Sequence, residues 1–345
     1  MNPLVLSLLI LSLGLGTTLT FASSHWLLAW MGLEINTLAI IPLMAQHHHP
    51  RAVEATTKYF LTQATAAALI LFASMTNAWI TGQWSIQQMD QTIPTTMLTI
   101  ALMLKLGLAP THFWLPEVLQ GLNLTTGLIM STWQKLAPLA LLVQVPNLDS
   151  NLLIFIGLIS TMVGGWGGLN QTQLRKIMAY SSIAHLGWMI LIVSFNPKLT
   201  LLALSMYILM TTSMFLTLKI NNSLDMNALA TSWAKTPILT ALAPLVLLSL
   251  GGLPPLSGFM PKWLILQELT KQELPLAATI AALSALLSLY FYLRLSYAMT
   301  LTTSPNTTTS ITPWRLKTNQ SSIPLSMSIA LATMLLPMTP TILAI

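Results

Sequence analysis

Four ionisable side chains lie inside long apolar stretches of the sequence: Glu34, Lys105, Lys135 and Lys262. Each charged group near the centre of a bilayer costs about 2.5–3.5 kcal/mol on insertion scales. Lys105 and Lys135 stand too far from the ends of their stretches for an ammonium to reach the headgroups. Ionisable groups kept at this cost are functional by default, and an ammonium and a carboxylate exchange protons when the distance between them changes. The four residues therefore predict proton or ion transfer inside a membrane.

Two histidines and a second carboxylate extend the set of candidate proton carriers. His185 follows a Tyr-Ser-Ser-Ile-Ala segment inside an apolar stretch. Neutral imidazole is cheaper to bury than a charge, so His185 is either a proton relay or a hydrogen-bonded packing residue. His112 and Glu117 are expected near the inner membrane surface, where they either admit protons or anchor a helix end. At the ends of apolar stretches, Lys58, Lys219 and Lys235 are expected to extend their ammonium groups into the headgroup layer.

Each buried lysine is close to a proline in the chain. The pairs are Lys105 with Pro110, Lys135 with Pro138, and Lys262 with Pro254 and Pro255. Proline lacks a backbone donor and frees a carbonyl one turn back, which lets water and a cation approach inside a membrane helix. Helix breaks beside charges predict an ion path, although a single proline is also a common packing kink.

One of these proline patterns occurs twice, at residues 110–117 and 255–262. In both copies an aromatic residue stands four positions after the first proline, followed by an apolar residue, a second proline and a charged residue. The copies fall in apolar stretches that enter the membrane from opposite faces. This pattern predicts an inverted repeat, the architecture in which broken helices carry ion sites near the membrane midplane.

Composition indicates what must hold these residues in place. Apolar residues make up 54% of the chain and charged residues only 6%, whereas a soluble globular chain carries roughly 25% charged residues. The apolar stretches are long enough for helices that cross a bilayer and too long for barrel strands. We predict an all-α, polytopic membrane protein of about eleven transmembrane helices. The predicted starts lie near Pro3, Trp26, Tyr59, Thr95, Leu122, Leu152, Leu174, Leu199, Ile238, Leu274 and Ser322.

Several site types are excluded or disfavoured by the same sequence. With no cysteine, the chain has no disulfide, thiolate zinc site, protein-held iron–sulfur cluster or cysteine nucleophile. Its basic residues are scattered, so nucleic-acid binding is not expected. The tract from His47 to His49 lacks neighbouring cysteine or carboxylate spacing and is not interpreted as a metal site. The glycines of residues 164–168 indicate close helix packing rather than a phosphate loop.

Basic residues predict the orientation, because they stay on the side of the membrane where synthesis occurs. With eleven helices, nine basic residues fall on the N-terminal side and two on the other. The larger group is Arg51, Lys58, Arg175, Lys176, Lys219, Lys235, Arg294, Arg315 and Lys317; the smaller is Lys198 and Lys271. The start of the chain shows no presequence pattern and is expected to be the first membrane helix.

Three motifs, in order, resemble those of the antiporter-like membrane subunits of respiratory complex I. They are Lys105-x4-Pro110-x-His112-x-Trp114-Leu115-Pro116-Glu117, Arg175-Lys176-x-x-Ala179-Tyr180-Ser181-Ser182-Ile183-x-His185, and Gly-Gly-Leu-Pro-Pro-x-x-Gly-Phe-x-Pro-Lys262-Trp263. The resemblance covers essentially the whole chain. It implies two inverted five-helix repeats, each with a broken helix. The expected domains are 1–145 (break near 105–116), 146–300 (break near 240–268), and 301–345, a matrix-side loop with a last transmembrane helix.

The resemblance also implies residue roles. Glu34 would be the carboxylate partner of Lys105, and Lys135 would link to the second half. Lys262 would face the exit half and His185 would bridge the two halves. NADH, FMN, iron–sulfur clusters and ubiquinone would all be bound by other subunits, with no cofactor or metal in this chain.

The implied partners are other membrane-arm subunits of complex I, with subunit 4L on one side and subunit 4 on the other, and lipids that include cardiolipin. The implied location is the mitochondrial inner membrane, with the N-terminus on the matrix side and the C-terminus on the intermembrane-space side. Two other functions remain open at this stage: a free-standing cation/proton antiporter, and a membrane scaffold whose lysines are relics.

Overall fold

The computed structural model confirms the all-α prediction. It describes residues 2–46, 48–89, 91–234, 236–301 and 323–338. Between the helices of these ranges there are two isolated β-bridges, His25 with Ser85 and Gln173 with Asp225. The predictions made for His47, Lys235, Arg315 and Lys317 fall outside the described residues, as does most of the predicted loop after residue 301.

The chain divides into two compact units. The first comprises Met1–Ser160 with Val193–Pro197, and the second comprises Thr161–Ile192 with Lys198–Ile345. The helices of the first unit are α1 (Pro3–Ala22), α2 (Trp26–Met44), α3 (Pro50–Thr81), α4 (Thr92–Leu106), α5 (Trp114–Gly121), α6 (Leu124–Thr132) and α7 (Leu136–Gln144). A 3₁₀ turn, Trp133–Lys135, separates α6 from α7. The next helix, α8 (Ser150–Gly168), runs from the first unit into the second.

Close packing in the first unit begins with α1 and α2, which meet through glycines. A methyl group placed on Gly16 would lie 2.9 Å from the backbone oxygen of Gly32. The two backbones are therefore in direct contact, as small residues allow in membrane helices. Beyond this pair, α2 packs on α3, α3 packs on α4 and α5, and α7 packs on α1 and α4.

Helix α3 begins at Pro50, well before the apolar start predicted near Tyr59. His49 caps it by accepting a hydrogen bond from the Arg51 amide at 3.2 Å, and proline stands at its first position, where a missing N–H costs nothing. Glu54 and Lys58 form an ion pair one turn apart on the exposed surface. Hydropathy alone missed this first part of the helix because it is helical but polar.

The described residues of the second unit form seven more α-helices. They are α9 (Leu174–Val193), α10 (Pro197–Asn221), α11 (Met226–Ala230), α12 (Pro237–Gly251), α13 (Phe259–Lys271), α14 (Pro275–Thr300) and α15 (Ile323–Met334). Helix α14 packs against α11, α12 and α13, and α12 also packs against α15. The short helix α11 was not predicted.

A glycine in the left-handed conformation ends one helix in each unit and separates it from the helix that follows. Helices α4 and α12 both end at a glycine in the left-handed region, Gly107 with φ 77° and Gly252 with φ 82°. A glycine at this place satisfies the last carbonyls of a helix without the strain that a Cβ would cause. Each glycine precedes the first proline of the repeated pattern by three positions, at Pro110 and Pro255. The repeat in the sequence is therefore also a repeat of local structure.

Seven of the described helices are long and apolar enough to cross a membrane: Pro3–Ala22, Trp26–Met44, Pro50–Thr81, Ser150–Gly168, Leu174–Val193, Pro197–Asn221 and Pro275–Thr300. Three shorter apolar helices accompany them, α4, α12 and α15. The chain is thus a multi-pass membrane protein.

Candidate functional site

Lys105 lies in the last turn of α4, two positions before Gly107, and its side chain is 5% exposed. Its ammonium nitrogen has no hydrogen-bond partner among the described residues. The backbone around it is tied down, because Gln63 of α3 donates to the Lys105 carbonyl at 3.4 Å and the Trp114 indole of α5 donates to the Leu104 carbonyl at 3.1 Å. The ammonium is thus held in a fixed place with its hydrogens available.

Lys135 is the last residue of the 3₁₀ turn between α6 and α7, and it is 2% exposed. The turn stands just before Pro138, whose ring cannot fit a continuous helix. The neighbouring Gln134 donates to the Asn36 carbonyl of α2 at 3.4 Å. This bond ties the turn to α2.

Lys105 and Lys135 line the same small cavity inside the first unit. It has about 10 Å³ of room for the centre of a water molecule. Its lining is Leu33, Asn36, Thr37, Tyr59, Gln63, Lys105, Leu106, Trp114, Leu115, Met130, Gln134, Lys135 and Pro138. Two lysines, four amides or hydroxyls of α2 and α3, and one amide of the 3₁₀ turn therefore line one cavity.

Glu34 lies on α2, half-buried, next to this cavity rather than in its wall. Its carboxylate accepts a hydrogen bond from the Thr37 hydroxyl at 3.2 Å, and Thr37 does line the cavity. The carboxylate acts electrostatically on Lys105. In the described part of the chain, however, the two are not among the ion pairs with N···O within 4.0 Å. Glu34 is thus near Lys105 without touching it.

His112 and Glu117 occupy different environments. His112 is buried in the interruption between α4 and α5, where its imidazole hydrogen-bonds the Pro110 carbonyl. Glu117 is exposed on α5 and accepts a hydrogen bond from Lys58 of α3 at 2.7 Å. Lys58 also pairs with Glu54, so its exposed ammonium is held in an ion-pair network.

Lys262 lies in the first turn of α13, after the interruption of the second unit. Its ammonium donates to the Gly251 carbonyl at 2.8 Å and to the Leu250 carbonyl at 3.4 Å. These carbonyls belong to the C-terminal turn of α12, where the helix dipole presents partial negative charge to a cation. The stem of Lys262 lies against Gly252, since a methyl group on that glycine would be 2.9 Å from the lysine Cδ.

His185 of α9 contacts an aromatic side chain of the second unit. Its ring centroid is 5.6 Å from that of Tyr207 of α10, at an interplanar angle of 44°. Tyr207 is buried, and its hydroxyl is hydrogen-bonded to Ser182, one turn before His185 on α9. His185 therefore packs against Tyr207, whose hydroxyl is bonded to a serine of the same helix as the histidine.

The described ranges contain no cluster of three or more His, Cys, Asp or Glu side chains that could hold a metal ion. The arrangement found in them consists instead of lysines, amides and hydroxyls, which donate and accept protons.

Comparisons with known proteins decide the family. Residues 23–288 match the family model described as NADH:quinone oxidoreductase/Mrp antiporter, TM, and residues 289–343 match that for NADH dehydrogenase subunit 2 C-terminus. The chain is 72% identical over 345 residues to NADH-ubiquinone oxidoreductase chain 2 of Oncorhynchus mykiss, covering 100% of this chain and 99% of the relative. It is 73% identical over 343 residues to the same protein of Salmo salar, covering 99% and 98%.

The chain belongs to the NADH-ubiquinone oxidoreductase chain 2 family. The predicted membership of the antiporter-like membrane subunits of complex I is thereby confirmed. Members of this family are subunits of an enzyme, so the chain is a subunit of a proton-translocating NADH-ubiquinone oxidoreductase.

Solved structures of respiratory membrane complexes have the same fold as this chain. A chain of respiratory complex I from Thermus thermophilus with bound aureothin superposes with a TM-score of 0.81 at 28% identity, covering 96% of this chain and 79% of that one. A chain of the membrane-bound sulfane sulfur reductase, an archaeal respiratory membrane complex, superposes with a TM-score of 0.84 at 18% identity, covering 97% and 73%. The second likeness shows the fold alone.

Sequence reasoning found the lysines but missed the uncharged groups around them. Asn36, Tyr59, Gln63 and Gln134 all line the cavity. A partial signal was present, because Tyr59 and Gln63 are one turn apart on the same face of α3 and Gln134 directly precedes Lys135. Nothing in the sequence links them to Asn36 of α2.

Proposed function

We propose that proton translocation by this subunit runs through Glu34, Lys105 and Lys135 in the first unit and through His185 and Lys262 in the second. One observation carries the proposal. Lys105 and Lys135, which are 30 residues apart, line one cavity of water size, and the Lys105 ammonium has no protein hydrogen bond within the described ranges. A buried ammonium in that position can release and regain a proton without breaking a structural contact.

Glu34 would control the proton on Lys105. Two unit charges 4 Å apart attract by about 4 kcal/mol at an effective dielectric constant of about 20. Moving one charge against about 150 mV takes about 3.5 kcal/mol. Closing the gap between Glu34 and Lys105 is therefore of the right size to hold a proton on the lysine, and opening it is of the right size to release that proton towards Lys135.

His112 and Glu117 would have separate roles. His112 is buried beside the break after α4 and is the candidate for proton entry to Lys105. Glu117 is exposed and paired with Lys58, which supports the alternative in which it anchors α5 to α3.

The proposed architecture has eleven membrane crossings in two inverted halves. The seven long helices supply seven crossings, and the others would be formed by α4 with α5, α6 with α7, α12 with α13, and α15. The halves would be 1–145 and 146–300, with 301–345 as a loop and a last crossing. The paired interruptions after Gly107 and Gly252 support this proposal.

The proposed setting is the mitochondrial inner membrane, with the N-terminus in the matrix and the C-terminus in the intermembrane space. Subunits 4L and 4 of complex I would flank the chain, and lipids including cardiolipin would fill its crevices. NADH, FMN, iron–sulfur clusters and ubiquinone would be bound by other subunits. The full-length similarity to NADH-ubiquinone oxidoreductase chain 2 supports the mitochondrial setting and the place of the chain in complex I.

Two lysine substitutions test the proposal in the assembled complex. Lys105→Ala and Lys262→Ala should each lower proton pumping and coupled NADH oxidation while the complex still assembles. Removing a positioned proton carrier costs roughly 10²-fold or more in the step that it serves. Proton uptake by sealed inner-membrane vesicles measures the effect.

Lys198→Ala is the matched control, because Lys198 is exposed at the start of α10. It should pump at the wild-type rate. Full pumping by both Lys105→Ala and Lys262→Ala would leave only a scaffold role for the chain. Sodium-driven proton exchange by the purified chain alone would instead favour an antiporter.

A further inference from the structure

Two buried polar atoms of the first unit have complementary unmet hydrogen-bonding capacity. Lys105 Nζ is a donor and Asn36 Oδ1 is an acceptor, and neither has a hydrogen-bond partner among the described residues. Their residues are 5% and 2% exposed. Buried polar groups in native proteins are almost always satisfied by protein or by ordered water. An unsatisfied donor and an unsatisfied acceptor therefore lie in the same region, where one bridging molecule would satisfy both.

The cavity next to these atoms has the size of one bridging water molecule. Lys105 and Asn36 both line it, and its volume is about 10 Å³. That is about the minimum for one water molecule, which requires two to four polar partners. The amide side chains of Gln63 and Gln134 are also in the wall. The cavity therefore has several polar groups in its wall, and its volume is that of about one water molecule.

The position of Asn36 distinguishes it from Glu34. The two are only two residues apart on α2, and helix residues at that spacing face different directions. Asn36 is the one tied to the 3₁₀ turn of Lys135, through the bond from Gln134 to its carbonyl. A water held by Asn36 therefore offers Lys105 a second proton acceptor on the Lys135 side.

We propose that Asn36 is a positioning residue whose side-chain oxygen holds one ordered water between Lys105 and Lys135. The inference deepens the proposed proton path and rests on it. The Lys105 ammonium gives a proton to the water oxygen, and the water gives one of its own hydrogens to the neutral amine of Lys135. One N–H bond and one O–H bond break while one O–H bond and one N–H bond form. The water is unchanged and one positive charge moves from Lys105 to Lys135.

An isosteric pair of substitutions tests this role in the assembled complex. Asn36→Val removes the acceptor oxygen, and Asn36→Thr has the same shape but keeps one. Loss of a hydrogen bond to a charged group corresponds to about tenfold in rate, so the Val variant should pump about tenfold more slowly than the Thr variant. The solvent deuterium isotope effect on coupled turnover should rise in the Val variant, because the proton step becomes limiting.

Asn77→Val is the control for simple loss of a buried amide. Asn77 is fully buried on α3 but bonds the Gln83 and Gln88 carbonyls away from the cavity. It should reduce the amount of assembled complex and leave the isotope effect unchanged. A density map of the wild-type complex that resolves waters should show one between Asn36 Oδ1 and Lys105 Nζ.

The outcomes separate the two proposals. Equal pumping by the Val and Thr variants, or a resolved map without that water, overturns the role of Asn36 even when Lys105→Ala abolishes pumping. Full pumping by Lys105→Ala overturns the proton path itself. If the Val variant alone fails to assemble, the map of the wild-type complex decides.

Discussion

The helix pairs α4–α5 and α12–α13 are both interrupted after a left-handed glycine, but their lysines lie on opposite sides of that glycine in the chain. Lys105 stands before Gly107, in the helix that ends there, whereas Lys262 stands after Gly252, in the helix that follows. In the first unit the ammonium faces a cavity and makes no protein hydrogen bond among the described residues. In the second unit it donates to the last carbonyls of the preceding helix.

The difference shows that a broken membrane helix can serve a buried cation in two ways. A break after the lysine clears space that water and polar side chains can enter. A break before the lysine exposes carbonyls that accept from the ammonium directly, with the added partial charge of the helix C-terminus. The first arrangement suits exchange of a proton and the second suits retention of a charge.

The largest expected difference between the two units comes from replacing each lysine by methionine, which is unbranched like lysine but lacks its terminal ammonium. Both variants should lose pumping. Lys262→Met leaves two helix-end carbonyls without their donor and should destabilise the complex by about 1–3 kcal/mol. Lys105→Met breaks no protein hydrogen bond of the ammonium in the described ranges and should destabilise the complex less. Thermal denaturation of the purified complexes measures both, and equal destabilisation would remove the contrast.

Replacing the two left-handed glycines by alanine tests whether the two interruptions position their lysines differently. Either substitution strains the backbone by about 1–2 kcal/mol. At Gly252 the new methyl would also meet the Lys262 side chain at 2.9 Å, whereas at Gly107 it would meet Leu115 at the same distance. We expect Gly252→Ala to slow pumping more than Gly107→Ala does at matched levels of assembly. Pumping assays normalised to the assembled complex check this, and the reverse order would contradict the lysine geometry.

The smallest effect is expected from Trp114→Phe, which keeps a smaller aromatic ring and removes the indole bond to the Leu104 carbonyl. Loss of one such bond costs about 0.5–1.5 kcal/mol. Because it joins α5 to the turn that carries Lys105, we expect faster hydrogen exchange at the end of α4. Exchange in α12 is the internal control and should not change, and a change of the same size there would indicate a global effect.

Charge and proline are strong signals in an apolar chain, which is why Lys105, Lys135 and Lys262 and the breaks beside them could be predicted. Uncharged polar residues are weak signals, since a serine, threonine or amide in a membrane helix commonly bonds its own backbone. Thr37 does so, donating to the Glu34 carbonyl at 2.9 Å, and only packing reveals that it also borders the cavity. Gln63 and Asn36 become functional candidates through the same long-range packing.

The polar start of α3 shows a second limit of prediction from sequence, which concerns the bounds of helices. Hydropathy predicts the part of a helix that lies in lipid, and the Glu54–Lys58–Glu117 network lies on the exposed surface beyond it. Glu117 is far from Lys58 in the chain, so no local spacing could have paired them. Hydropathy predicts the end of a helix correctly when the helix ends together with its apolar stretch. It fails when the helix extends beyond that stretch as a polar segment, as α3 does.

The glycine contact between α1 and α2 limits which wall of the cavity can move. With Gly16 and Gly32 in backbone contact, α2 is packed as closely against α1 as two helices allow. We therefore expect helix α2, which carries Glu34 and Asn36, to stay in place against α1 during turnover. We expect a change in the spacing of Glu34 and Lys105 to come instead from the end of α4 and from the 3₁₀ turn, where the α-helical hydrogen bonds are interrupted.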